Sequence, residues 1–138
     1  MLPSISGEFG IVADPELRFS KEGSAWAKIR CKAAARVRGD NGAWADGKPL
    51  FIDVMVNGKM AEHLIESVTK GDSILVTGTL EPNEWTDKDG NVRKEMRIKA
   101  DTVGVGVRWS PVGGKTSTPS VNELKESLGA TVVETVPF

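Results

Sequence analysis

Cysteine and histidine are almost missing from this sequence: Cys31 and His63 are the only ones among 138 residues. A single thiol excludes an internal disulfide and any cysteine-built metal site. Neither residue has a partner motif, so no nucleophile–base pair is legible and no enzyme, cofactor or metal is expected. Long apolar runs are lacking as well; none approaches the roughly 20 residues that span a bilayer. The N-terminus, MLPSISGEF, has no basic segment leading into an apolar one, so no secretory signal is expected. These absences point to a cytoplasmic chain with no membrane partner. Net charge is scarce too, at −1, so the overall balance announces no polyanion partner. Two look-alikes of phosphate sites fail. "GGKT" at 113–116 has Trp109 where a phosphate-binding loop needs its first glycine, and Gly104-Val-Gly106 lacks the third glycine of a dinucleotide site.

What is present is a local excess of cations. Arg18, Lys21, Lys28, Arg30, Lys32, Arg36 and Arg38 fall in one stretch against a single acid, Glu22. Within it, Ser24–Arg38 reads SAWAKIRCKAAARVR. Its even positions are Trp26, Lys28, Arg30, Lys32, Ala34, Arg36 and Arg38; its odd positions are small and apolar. Alanine, lysine and arginine are good helix formers, and a basic amphipathic helix would suit a membrane surface or an acidic partner. The helical stripe is thin, however: only Ala33 lies between Ile29 and Val37 at that spacing. The alternation predicts a long strand between Gly23 and Gly39, with Ile29, Cys31 and Val37 facing a core and the cations facing out.

The rest of the chain fits a small β-protein. Ile5–Val12 reads as a first strand with a glycine bend; Asp14-Pro15 and Glu22-Gly23 read as turns. Residues 37–50 read as a long mobile loop carrying Trp44. Leu50–Val56 alternates, with Ile52, Val54 and Val56 on one face and Phe51, Asp53 and Met55 on the other. Lys59–Thr69 changes to a helical period, with Gly71 as its C-terminal cap. Ser73–Leu80 is a strand, and Asn83–Asp87 and Asn91–Val103 flank a turn at Lys88-Asp89-Gly90. Five strands with a helix between the third and fourth is the order of an OB-fold, a five-stranded Greek-key barrel. The expected class is therefore all-β with one helix, over residues 1–109, with Trp109 sealing the end of the barrel. Residues 110–138 read as a linker and flexible tail with a short helix at 121–128.

An outward face that combines a row of cations with an aromatic ring suits single-stranded nucleic acid. Cations follow phosphates, and rings stack on bases with little regard to sequence. Two other readings compete: an OB module acting on RNA, and a protein-interaction OB domain whose basic face meets an acidic partner.

The stretch KGDSILVTGTLEPNEWTDKDGNVRKEMRIKAD, residues 70–101, resembles the bacterial and phage single-stranded DNA-binding protein family. "DPELRF" at 14–19 and "FIDVMVNGKMAE" at 51–62 match further blocks of the family in order. The resemblance covers about residues 5–109. It implies sequence-nonspecific binding and protection of single-stranded DNA in replication, recombination and repair, by a homo-oligomer (dimer or tetramer) joined through its first strand. Trp85 and Phe51 fall on the family's stacking aromatics, and Trp44 lies in the loop that carries a third. Lys59 and Lys70 fall on basic positions. The expected DNA-binding set is Trp26, Lys28, Arg30, Lys32, Arg36, Arg38, Trp44, Phe51, Lys59, Lys70, Trp85 and Lys94. Val136, Pro137 and Phe138 resemble the tail tip that docks replication and repair proteins, although Glu134 is the only acid there. Two departures stand out. Glu81-Pro82-Asn83-Glu84 precedes Trp85 where the family often has cations, and Asp53 lies beside Phe51 where a cation is common. Both shift the expected phosphate path toward Lys28–Arg38.

Overall fold

The computed structural model describes residues 1–112. The strands are β1 (Ser4–Ile11), β2 (Glu16–Phe19), β3 (Ala25–Arg38), β4 (Trp44–Asn57), β5 (Ser73–Thr86) and β6 (Val92–Val105), with one helix, α1 (Lys59–Ser67), between β4 and β5. They form one sheet in the order β1-β5-β6-β4-β3-β2, and β1 also pairs with β3. That extra pairing closes β1, β5, β6, β4 and β3 into a five-stranded barrel of the OB type. The short β2 lies outside the barrel on the edge of β3, where Leu17 faces Ala27. The sequence shows only two turns there, because a four-residue strand is too short to display a period.

The strand expectation for Ser24–Arg38 holds, and burial follows its alternation: Ala25, Ala27, Ile29 and Cys31 are buried in turn. Ala27, Ile29 and Cys31 pack in one core with Ile52, Val54 and Val56 of β4, Ile74 and Val76 of β5, Ile98 of β6, and Ala61 and Leu64 of α1. Ile29, Ile74 and Ile98 are fully buried, and each contributes roughly 1.5–3 kcal/mol by leaving water. No polar or charged residue is buried as a whole among the described residues, although Glu8 Oε1 is shielded from solvent without a hydrogen-bond partner.

The alternation loses its meaning past Ala33. Between Ala34 and Arg36 the register with β4 shifts: Ala34 faces Pro49, but Arg36 faces Asp46. One extra residue in β4 makes a bulge, which strengthens local twist and bends the pair off the barrel. A side chain at Gly47 would crowd the Ala35 carbonyl, at 3.2 Å, which suits glycine to the bulge. Beyond it β3 and β4 form a projecting two-stranded arm, and Val37, expected in the core, is exposed. Trp44 opens β4 and does not sit in a long loop; the connection is a tight turn in which Gly39 N–H donates to the Ala43 carbonyl at 2.8 Å. The helix ends earlier than its period suggests. Val68 is its extended cap residue, and Gly71, with φ +96°, serves the next turn, donating its N–H to Ile11. β5 and β6 also run past the barrel as a second arm, closed at Asp87–Asn91.

Candidate nucleic-acid interface

Residues directly opposite each other in a sheet share a face, so the registers assemble the outer surface of the barrel. Lys28 of β3 faces Met55 of β4, which faces Lys99 of β6, which faces Thr79 of β5. The next row is Arg30, Asp53, Arg97 and Glu81. Beyond it Lys32 faces Phe51, and Ala34 faces Pro49. On the arm, Arg36 faces Asp46 and Arg38 faces Trp44; at the other end, Trp26 lies between Arg18 of β2 and Asn57 of β4. The predicted even-numbered residues of β3 are therefore brought together on one face that stretches roughly 40 Å, at about 3.3 Å per residue.

Aromatic rings are available along this face. Trp44 is 60% exposed, Phe51 48% and Trp85 41%. Trp85 lies on the outer face of the β5–β6 arm, opposite Arg93. A sharp turn holds that arm: Asp87 Oδ1 accepts the N–H groups of Asp89 and Asn91, and its Oδ2 accepts Arg93 Nε at 2.8 Å. The Arg93 bond and then the Asn91 N–H hold the Asp87 carboxyl below its usual range.

Many of the cations are already paired. Arg30 donates to Asp53 at 3.3 Å, Arg36 to Asp46 at 2.8 Å, and Arg97 to Glu81 at 2.8 Å and to Asn83 at 3.3 Å. The Arg30 guanidinium also lies 5.7 Å from the centre of the Phe51 ring. Lys28, Lys32, Arg38 and Lys99 have no carboxylate partner among the described residues. Under this surface, Cys31 is buried and its thiol is pushed up to about 12, by burial first, then by the Asp53 carboxylate, against the pull of Arg30.

Three expected residues fall elsewhere. Lys94 faces Glu84, so it is on the opposite side of the arm from Trp85. Lys59 opens α1 and pairs with Glu62 at 3.2 Å. Lys70 lies in the α1–β5 turn, where its backbone N–H donates to Asp14. The tail tip, Val136–Phe138, and the helix expected at 121–128 lie outside the described residues. Conversely, Arg97 and Lys99 of β6 and Met55 of β4 join the face unforeseen; the alternation of β4 puts Met55 on the Phe51 side, but nothing local shows that β6 runs beside β4. Trp109, expected to seal the barrel, is exposed, and with Arg108 it lines an open groove of about 610 Å3 that Lys32 and Arg36 also reach.

A five-stranded barrel of this topology with a cationic, aromatic outer face is an OB-fold of the oligonucleotide-binding class. More closely, the chain belongs to the single-strand binding protein family, whose model matches residues 8–105. It is 37% identical over 101 residues to the single-stranded DNA-binding protein of Corynebacterium glutamicum, covering 72% of this chain and 45% of that one. It is 30% identical over 120 residues to that of Mycobacterium leprae, covering 86% of this chain and 67% of that one. The chain thus spans about half to two thirds of the length of these relatives. The crystal structure of a small single-stranded DNA-binding protein from Streptomyces coelicolor shares the fold, with a TM-score of 0.67 at 24% identity, over 77% of this chain and 95% of that one.

Proposed function

We propose that this chain binds single-stranded DNA with little sequence preference and protects it during replication, recombination and repair, as a binding protein and not an enzyme. The observation that carries the reading is the continuous outer face of β3 and β4, where the unpaired Lys28, Lys32 and Arg38 alternate along the strand pair with Phe51 and Trp44. The names of the relatives support the same ligand. Titration with poly-dT tests it: tryptophan fluorescence is expected to be quenched strongly at low salt and weakly at high salt. No quenching at low salt overturns the proposal, and tighter binding of RNA or duplex of equal length redirects it.

Assembly as a homo-oligomer belongs to the same reading. Among the described residues, β1 meets β3 only at Gly10 and Ile11, which leaves the Ser4–Phe9 side of β1 an open edge able to pair with a second copy. Light scattering is expected to give at least a dimer; a monomer at all concentrations overturns this part.

A further inference from the structure

The outer face is divided by chemistry. The Arg30–Asp53–Arg97–Glu81 row alternates in sign and sums to zero. The row on one side, Lys28–Met55–Lys99–Thr79, carries two cations and no acid. On the other side stands Lys32, beside Phe51. Asp53 is the most sheltered charged partner, with 13% of its side chain exposed against 39% for Arg30. Its carboxylate holds the Arg30 guanidinium over the Phe51 ring, and Glu81 with Asn83 holds Arg97 from two sides. A guanidinium fixed this way is a flat, pre-ordered surface with its charge already met. A lysine without a partner is a mobile point charge.

Resting on the single-strand reading above, we infer that the face sorts the two parts of a strand: the neutral Arg30–Asp53–Arg97–Glu81 row extends Phe51 as a platform for bases, and Lys28, Lys32 and Lys99 take the phosphates. Arg30 and Arg97 then act through their planes and not through net charge. The carboxylates of Asp53 and Glu81, which look like obstacles to a polyanion, are what keep the two planes in place. Lys99 joins the phosphate path from a strand that is remote in sequence from the other two lysines.

The test compares a dT oligomer with an abasic deoxyribose-phosphate oligomer of the same length, both at low salt, by fluorescence anisotropy. Arg30→Lys and Arg97→Lys keep charge but lose the plane. Each is expected to weaken dT binding about three- to tenfold and leave abasic binding unchanged. Lys28→Ala, Lys32→Ala and Lys99→Ala are expected to weaken both ligands by the same factor and to flatten the salt slope by about 0.7 each. Arginine variants that bind dT as tightly as wild type, or that weaken both ligands alike, overturn the division. So does a Lys99→Ala protein identical to wild type, or a wild type that binds dT but not the abasic strand. If the wild type binds neither ligand, the single-strand reading itself falls, which separates the two failures. The lysine variants change exposed side chains, so the division remains testable should an arginine variant fold poorly.

Discussion

At the scale of single residues, exposure and pairing separate side chains that look alike in sequence. Trp85 and Lys94 sit nine positions apart on one hairpin, yet on opposite faces of it. Trp85→Ala is expected to weaken dT binding by about 5- to 150-fold, the worth of one stacked base at roughly 1–3 kcal/mol. Lys94→Ala, on the far face, is expected to leave it nearly unchanged; anisotropy titrations of both variants check the contrast. Asp53→Asn removes the acid beside Arg30 and frees one cation. Its salt slope is expected to steepen by about 0.7, with the abasic strand bound more tightly at low salt, while dT gains less because the unheld Arg30 plane no longer serves its bases. A slope equal to wild type across a salt titration would show that Asp53 does not restrain Arg30.

At the scale of elements, most strands were legible because one side of each is buried, and burial writes a period of two into the residues. The arms were not legible. Past Ala34 neither side of β3 is covered, so hydrophobic and polar residues no longer sort, and Trp44 reads as loop although it is strand. The β5–β6 pair illustrates a backbone constraint. Gly78 stands at the register shift between the strands, and a Cβ there would collide with the Lys99 carbonyl oxygen. Gly78→Ala meets backbone on the neighbouring strand, which no rotamer change relieves. It is expected to destabilise the fold by about 1–3 kcal/mol, read by urea denaturation. The hairpin turn below Trp85 has its own pH dependence. The Asp87 carboxyl is held below its usual range by Arg93 and the turn N–H groups. Its contribution is therefore present above the ordinary carboxylate range and is lost as pH falls through the lowered value. Amide exchange at Asp89 and Asn91 is expected to stay slow at pH 4 and to rise under stronger acid; Asp87→Ala removes that dependence.

At the scale of the whole molecule, the barrel concentrates its apolar residues inward, and no described charged residue is buried as a whole. A chain of net charge −1 can present a cationic face because its acids are distributed elsewhere or paired within rows. The core has an alkaline limit set by Cys31. Its thiol is pushed up to about 12 in the fold, so it stays protonated long after an unfolded chain has ionised. The sign follows directly: stability is intact below the unfolded thiol's ordinary value, about 8.5, and declines as pH rises from there toward 12. Thermal melts are expected to lose stability above pH 9, and Cys31→Ala is expected to remove that part of the slope. The same burial predicts that thiol reagents at pH 8 react with Cys31 only after unfolding.

By itself the sequence determined the barrel class, the position of its helix, the inward and outward faces of β3 within the barrel, and Phe51 as an outward ring. Each of these is local: a period of two or of about 3.6 is written in consecutive residues by one-sided burial, and a turn by its glycine. Tertiary structure decided what lies beside what. β4 pairs with β6 in parallel across a helix and a whole strand, and only that pairing places Arg97 and Lys99 next to Asp53 and Met55. Among the described residues, it also decided that Arg30, Arg36 and Arg97 are matched by acids while Lys28, Lys32 and Lys99 are not, since charge pairing across strands depends on register, which no single segment of the chain contains.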